Sequence, residues 1–154
     1  MNIGQPERVT QNRVIALFRD ELGYRTLGDW TDRPINSNIE DTLLSAYLAK
    51  RGYSTTQISR TLDRLRTEAG NPNRSLYDNN KAVYSLLRYG VQVQAAAGEN
   101  TETVWLIDWN DPAQNDFAIA EEVTLHGNFE RRPDLVLYLN GIAIGVVELK
   151  NSRV

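Results

Sequence analysis

Two apolar runs that meet at Asn140-Gly141 constrain this chain more than any other feature. Arg132-Pro133-Asp134 and the run Leu-Val-Leu-Tyr-Leu precede the pair; Ile-Ala-Ile-Gly-Val-Val and Glu148-Leu149-Lys150 follow it. Asn-Gly accepts positive φ at both centres of a tight turn, so the sequence predicts a β-hairpin with charged residues at its open ends. Burying an Asp, a Glu and a Lys without partners costs several kcal/mol, and a metal or a paired network is the natural explanation. Two oxygen ligands and an ammonium are what metal-assisted attack on a phosphodiester needs.

Loop length decides whether these groups can cooperate. A two-residue loop pairs Leu139 with Ile142 and Asp134 with Val147, which sends Glu148 and Lys150 to the other face. A three-residue loop, Leu139-Asn140-Gly141, pairs Tyr138 with Ile142 and puts Asp134 opposite Val146. Glu148 is then diagonal to Asp134 on one face, and Lys150 follows two residues later. An active-site reading therefore requires the odd-numbered loop or an equivalent bulge, whereas a structural reading requires neither. If the three converge, Asp134 and Glu148 hold a hard divalent cation, most simply magnesium, with the Leu149 carbonyl as a third oxygen. Lys150 would orient or help activate water and offset charge in the transition state. Pro133 suits a strand start. The plainer alternative is that Glu-x-Lys is a solvated cross-strand pair and Pro-Asp an ordinary strand opener.

The remaining inventory closes other routes. The 154 residues fit one domain, and 41% hydrophobic with 24% charged residues reads as an ordinary globule. No apolar run approaches the ~20 residues that cross a bilayer, and the polar start is not a signal peptide. A formal charge of -3 argues against an unspecific basic nucleic-acid binder but not against a nuclease, whose carboxylates gather where a metal sits. There is no cysteine and one histidine, His126, which leaves no zinc site of their side chains. Neither a G-x-S-x-G elbow nor a phosphate-binding glycine loop is present. Carboxylate and metal chemistry is the main enzymatic route left.

The first ninety residues read as helical. Val14, Leu17, Phe18 and Leu22 share a face that stops at Gly23. Ser37 to Glu40 suggests a capping box before a stripe of Ile39, Leu43, Leu44, Tyr47 and Leu48, ending at Gly52. A third helix starts after Ser54 or Thr55 and buries Ile58, Leu62 and Leu65; a shorter one runs from about Asn80 to Tyr89. After Gly90 the period becomes two, giving strands at 91–95 and 103–109. Phe117, Ile119, Val123 and Leu125 suggest another, interrupted at Ala120-Glu121-Glu122 as by a bulge. The expected class is α/β (α+β-like), with a helical N-terminal half on a mixed sheet. An apolar strand at 142–149 wants neighbours on both sides, which leads us to read the chain as a fragment of something longer.

Taken together, Arg132-Pro133-Asp134-Leu-Val-Leu-Tyr-Leu-Asn-Gly-Ile-Ala-Ile-Gly-Val-Val-Glu148-Leu149-Lys150 resembles the nuclease motif of the PD-(D/E)xK superfamily. More narrowly, it resembles the N-terminal nuclease domain of the type I restriction enzyme R (motor) subunit. Thr10-Gln-Asn-Arg-Val-Ile-Ala-Leu-Phe-Arg-Asp-Glu-Leu-Gly-Tyr24 and Asn79-Asn-Lys-Ala-Val-Tyr-Ser-Leu-Leu-Arg-Tyr-Gly90 fit the leading region of that family. The resemblance implies a restriction-endonuclease-like core, truncated after the Glu-x-Lys strand, with residues 1–154 as one endonuclease domain. It implies magnesium-dependent cleavage of double-stranded DNA in a cytoplasmic complex with methyltransferase and specificity subunits, and no membrane. ATP would act only in translocase domains outside this stretch. Asp134, Glu148 and Lys150 match the family's catalytic acid, acid and lysine. Many members add an acidic metal-binding residue on the first helix; Gln11 lies near that place, with Glu7 one turn earlier, and its plainer reading is a solvated helix residue.

A non-catalytic module that docks DNA or partner subunits is the alternative from another class. Arg131 and Arg132 precede the Asp and could meet DNA phosphates; Arg60 and Arg64 share a helix face and read more simply as solvated, with local carboxylate partners. His126 reads as a strand-end residue, and Trp105, Trp109 and Tyr138 as core or sheet-face residues.

Overall fold

The computed structural model describes residues 5–150. They form an α/β protein in two compact units: one built from the chain up to Glu40 and from Asp116 onward, the other from Asp41–Asn115.

The first unit is one helix and a mixed four-stranded sheet. Helix α1 (Gln5–Ala16) runs into a π-helical turn, Leu17–Glu21, where the Leu22 N–H reaches back to the Leu17 carbonyl. The π turn rotates the face predicted for this helix. Ile15 and Gln11 are buried and Val14 and Phe18 half-buried, while Leu17 and Leu22 stand exposed. Strands β1 (Arg25–Asp29), β4 (Phe117–Glu121), β5 (Leu135–Leu139) and β6 (Ile142–Val147) lie in the order β1-β4-β5-β6. β1 is parallel to β4; the other two pairings are antiparallel. The α1 side of the sheet buries Ile15 against Ile119 and Leu135, flanked by Val14, Phe18, Tyr24, Leu137 and Val147.

β1 escaped the sequence reading because Arg-Thr-Leu-Gly-Asp does not alternate: only Leu27 is half-buried, as suits a sheet edge. The strand expected across 117–125 ends instead at Glu121. Glu122 takes a left-handed conformation, φ 49°, that interrupts the regular ladder, while the Glu122 and Val123 N–H groups still donate to the Asp134 and Pro133 carbonyls and Leu125 bridges Arg131. Segment 30–40 is irregular but tied down. Trp30 packs on Tyr138 with ring centres 5.5 Å apart, Asn36 donates to the Trp30 and Thr124 carbonyls, and Ile39 bridges Ile142. The Ser37–Glu40 box forms only in part. Glu40 accepts from the Ser37 N–H, but the Ser37 hydroxyl accepts from Ile39, and the helix begins after it, at Asp41.

The second unit comprises α2 (Asp41–Lys50), α3 (Thr55–Ala69), α4 (Leu76–Tyr89) and the antiparallel hairpin β2 (Val91–Gln94) and β3 (Thr101–Val104). Ser54 and Gln57 close a full capping box on α3, and Ser75 caps α4 several residues earlier than apolar spacing alone suggested. Gly90 has φ +80°, and a Cβ there would stand 2.4 Å from Thr103 Cγ2, so only glycine allows this exit from α4. The strand predicted over 103–109 stops at Val104. Residues 105–115 form a loop with a short 3-10 turn at Pro112–Gln114, and Trp105 and Trp109 are 44% and 47% exposed rather than core. Tyr138, by contrast, is buried as expected.

Candidate active site

Strand pairing, parallel between β1 and β4 and antiparallel in the other two pairs, puts one row of residues at a single end of the sheet: Asp29 beside Glu121, Glu121 beside Leu135, and Leu135 beside Val147. The next residues out are Glu122, Asp134 and Glu148. The end of a strand, where the chain leaves the ladder, is where acidic side chains escape burial and can meet a ligand.

The hairpin reaches this arrangement by a route that neither simple loop provides. Asn140 (φ 52°) and Gly141 (φ 86°) form a two-residue turn, and Leu139 pairs with Ile142. The three-residue loop is therefore not used. Tyr138 pairs with Ala143 but Leu137 pairs with Gly145, so Ile144 is an extra residue on β6, a β-bulge. Beyond it the register has shifted by one: Val136 faces Val146 and Leu135 faces Val147. Continued one step, the register sets Asp134 opposite Glu148. The Leu149 N–H donates to Asp134 Oδ2 at 2.6 Å and ties the two strand ends together. Exposure alternates along the end of β6, with Val146, Glu148 and Lys150 outward and Val147 and Leu149 half-buried. The buried Asn140 fixes the other end of the hairpin, its Oδ1 accepting the Asp116 N–H at 2.6 Å.

Gln11 is not a solvated helix residue. It is 4% exposed, and its side-chain amide donates to Glu121 Oε1 at 3.3 Å and to Glu122 Oε1 at 3.4 Å. Arg8 lies 3.5 Å from Glu121, and Arg132 Nε lies 3.2 Å from Glu122 Oε2. Burial pushes the Glu122 carboxyl above its ordinary range; the Gln11 bond and Arg132 pull it down, and the charges of Asp134 and Asp29 push it up again. Asp29 is held low chiefly by the Thr31 hydroxyl and N–H, with Arg8 and Arg132 adding to the effect. Glu122 is thus a further member of this carboxylate neighbourhood. The adjacent Glu-Glu pair between apolar residues is its only sequence signal.

Among the described residues, no three His, Cys, Asp or Glu side chains are grouped closely enough to hold a metal by themselves. A metal bound here would have to draw on two carboxylates, a backbone carbonyl and water, a set that magnesium accepts because this ion keeps several of its waters. The other candidates separate cleanly. Arg132 is engaged by Glu122, whereas Arg131 is exposed and bonds Leu125 only through its backbone. Arg64 pairs with Glu68 at 2.9 Å, the local partner expected, and Arg60 donates to the Gln94 carbonyl. His126 sits exposed beside the Leu125–Arg131 bridge, 3.5 Å from Glu130. No helix among the described residues is long and apolar enough to cross a membrane.

Comparison with known proteins identifies the family. The family model for the type I restriction enzyme R protein N terminus matches residues 4–154. A protein of Methanocaldococcus jannaschii that carries the name type I restriction enzyme MjaIXP endonuclease subunit is 31% identical over 93 residues. That match covers 56% of this chain and 9% of the relative, so the chain corresponds to a small part of the relative's length. No solved structure matches the chain. A family match across nearly every residue, the Pro-Asp and Glu-x-Lys strand ends included, places the chain in the family of type I restriction enzyme R protein N-terminal regions.

Proposed function

We propose that this chain is the magnesium-dependent endonuclease domain of a type I restriction–modification complex, hydrolysing phosphodiester bonds of double-stranded DNA. The observation that carries the reading is the Ile144 bulge, in a chain of this family, which sets Leu135 opposite Val147 in a register that continues to Asp134 and Glu148. The bulge brings two carboxylates side by side, an arrangement of like charges that a bound cation would relieve.

The residues present fit the ion. All donors are hard oxygens, and Glu122, raised chiefly by burial with the charge of Asp134 adding to it, is a carboxyl whose ionised form a nearby cation favours. Asp134, Glu148 and the Leu149 carbonyl would hold magnesium, which when bound supplies Lewis acidity at the phosphoryl oxygen and a more acidic water. Asp134 is preset by the Leu149 N–H. Lys150, on the outward face with Glu148, orients the attacking water and offsets negative charge as the phosphorus gains its fifth oxygen. Gln11 is a positioning residue: its amide holds Glu122 and Glu121 in place. Arg131, whose guanidinium has no ion pair among the described residues, offers it to a DNA phosphate next to the cut, while Arg132 is shared with Glu122. Methyltransferase and specificity subunits are the partners this reading implies, with a cytoplasmic location, and ATP-driven translocation belongs to other parts of the subunit.

The test uses the full subunit reconstituted with its partners. Lys150→Ala lowers DNA cleavage by at least about a hundredfold and leaves ATP hydrolysis intact. Cleavage at the unmodified rate would favour the alternative, a docking module whose carboxylates are structural.

A further inference from the structure

The second unit carries a surface that the metal site does not use. On α4, Tyr77, Lys81, Tyr84 and Arg88 recur at the i, i+4, i+7 and i+11 spacing that lines one helix face. All four are exposed, the tyrosines at 73% and 62%. Asn79, Val83, Leu86 and Leu87 turn the opposite face inward. The strip, aromatic and basic in alternation, is about 16 Å long at the rise of an α-helix. It leads into a cleft of about 370 Å³ lined by Arg88, Tyr89, Trp105, Trp109 and Asn110, with Arg51 and Asp108 at its side.

The groups in the cleft are held in a particular way. Trp109 is anchored through its indole N–H to the Leu87 carbonyl at 3.0 Å, and the Arg88 guanidinium lies 5.2 Å from its ring centre. Asp108, the one carboxylate in the lining, is already engaged. It accepts the Asp111 and Asn110 N–H groups and pairs with Arg51 at 2.8 Å, contacts that hold its carboxyl below the usual range. Lys81 and Arg88, in contrast, form no ion pair among the described residues.

We propose that this strip and cleft bind an unpaired DNA strand, its bases stacking on Tyr84, Tyr77 and the cleft tryptophans and its phosphates meeting Lys81 and Arg88. Exposed π-faces interleaved with uncompensated cations match a single strand, which presents free base faces and a regular row of charge. A duplex hides its base faces, so it can use only the cations. The site stands in a different unit from the carboxylates and does not depend on the metal reading.

Binding of a short oligothymidylate to the intact chain in EDTA, followed by tryptophan fluorescence, tests this. Binding is expected with quenching. Tyr84→Ala and Trp109→Ala each weaken it by at least about fivefold, the usual loss per stacked base. Replacing Lys81 and Arg88 together by alanine lowers the slope of log K against log salt by about 1.4, as two lost single-strand phosphate contacts require. Oligouridylate competing equally extends the site to RNA strands and still supports it. Absence of quenching, affinity unchanged in Tyr84→Ala, or equal binding and quenching by a blunt duplex overturns the proposal. Tyr84 is solvent-exposed, so that variant keeps its fold.

Discussion

Replacing Gln11 by the nearly isosteric leucine isolates the interaction that couples α1 to the carboxylate end of the sheet. In the wild type, the buried amide donates two charge-assisted bonds, at 3.3 Å to Glu121 and 3.4 Å to Glu122. Both lie at the long end of the hydrogen-bond range, so each contributes about 1 kcal/mol. Glu121 retains Arg8 and Glu122 retains Arg132, so neither carboxylate is orphaned by the change. Leucine's burial returns part of the loss, and the net cost is about 1–2 kcal/mol. For a chain of this size that lowers the midpoint of thermal unfolding by roughly 2–8 °C. Trp30 is the only one of the three tryptophans in the first unit. Fluorescence in a Trp105→Phe, Trp109→Phe background therefore reports on that unit alone. A midpoint unchanged by Gln11→Leu would refute the claim that the amide is gripped between the two carboxylates.

The bulge makes a prediction with two opposite arms. Deleting Ile144 removes the extra residue but leaves Leu137 opposite Gly145 and Asp134 opposite Glu148, so divalent-cation binding persists; inserting an alanine between Val146 and Val147 moves Glu148 one step out of register and abolishes it. Calorimetric titration of both variants checks this, and loss of binding in the deletion alone would contradict it. Asp108 gives a pH test in the second unit. Its folded carboxyl is held below the ordinary value, so its ionised form stabilises the fold above the unfolded value of 3.8, and that contribution is lost as pH falls through the folded pKa. Asp108→Asn should therefore unfold at a lower temperature than wild type at pH 7, with the difference closing below the carboxylate range. A difference independent of pH would show that shape rather than charge is responsible.

What the sequence disclosed and what it withheld divide along physical lines. The Asn-Gly turn, the β5 and β6 runs and the Gly-terminated helices are legible because each is specified locally, by turn conformation or by a period of apolar residues. β1 is not, because a half-exposed edge strand draws its hydrogen bonds from a distant partner, β4, and needs no alternation of its own. The bulge at Ile144 is withheld for a similar reason. Nothing in Ile-Ala-Ile-Gly-Val-Val marks which residue is left unpaired, and only the chemistry at the strand ends called for one. Gln11 looked like any polar residue near the start of a helix; its burial depends on where Glu121 and Glu122 arrive from more than a hundred residues away. The two loop tryptophans misled in the opposite sense, since their size suggests core and their backbone places them beside a cleft.

The central claim is that the strand ends at Asp134 and Glu148 form one cation site, and calorimetric titration with manganese addresses it directly. The account predicts one cation bound by the wild-type chain, with binding lost in Asp134→Ala and equally lost in Glu148→Ala while both variants remain folded. Undiminished binding in either variant would contradict it.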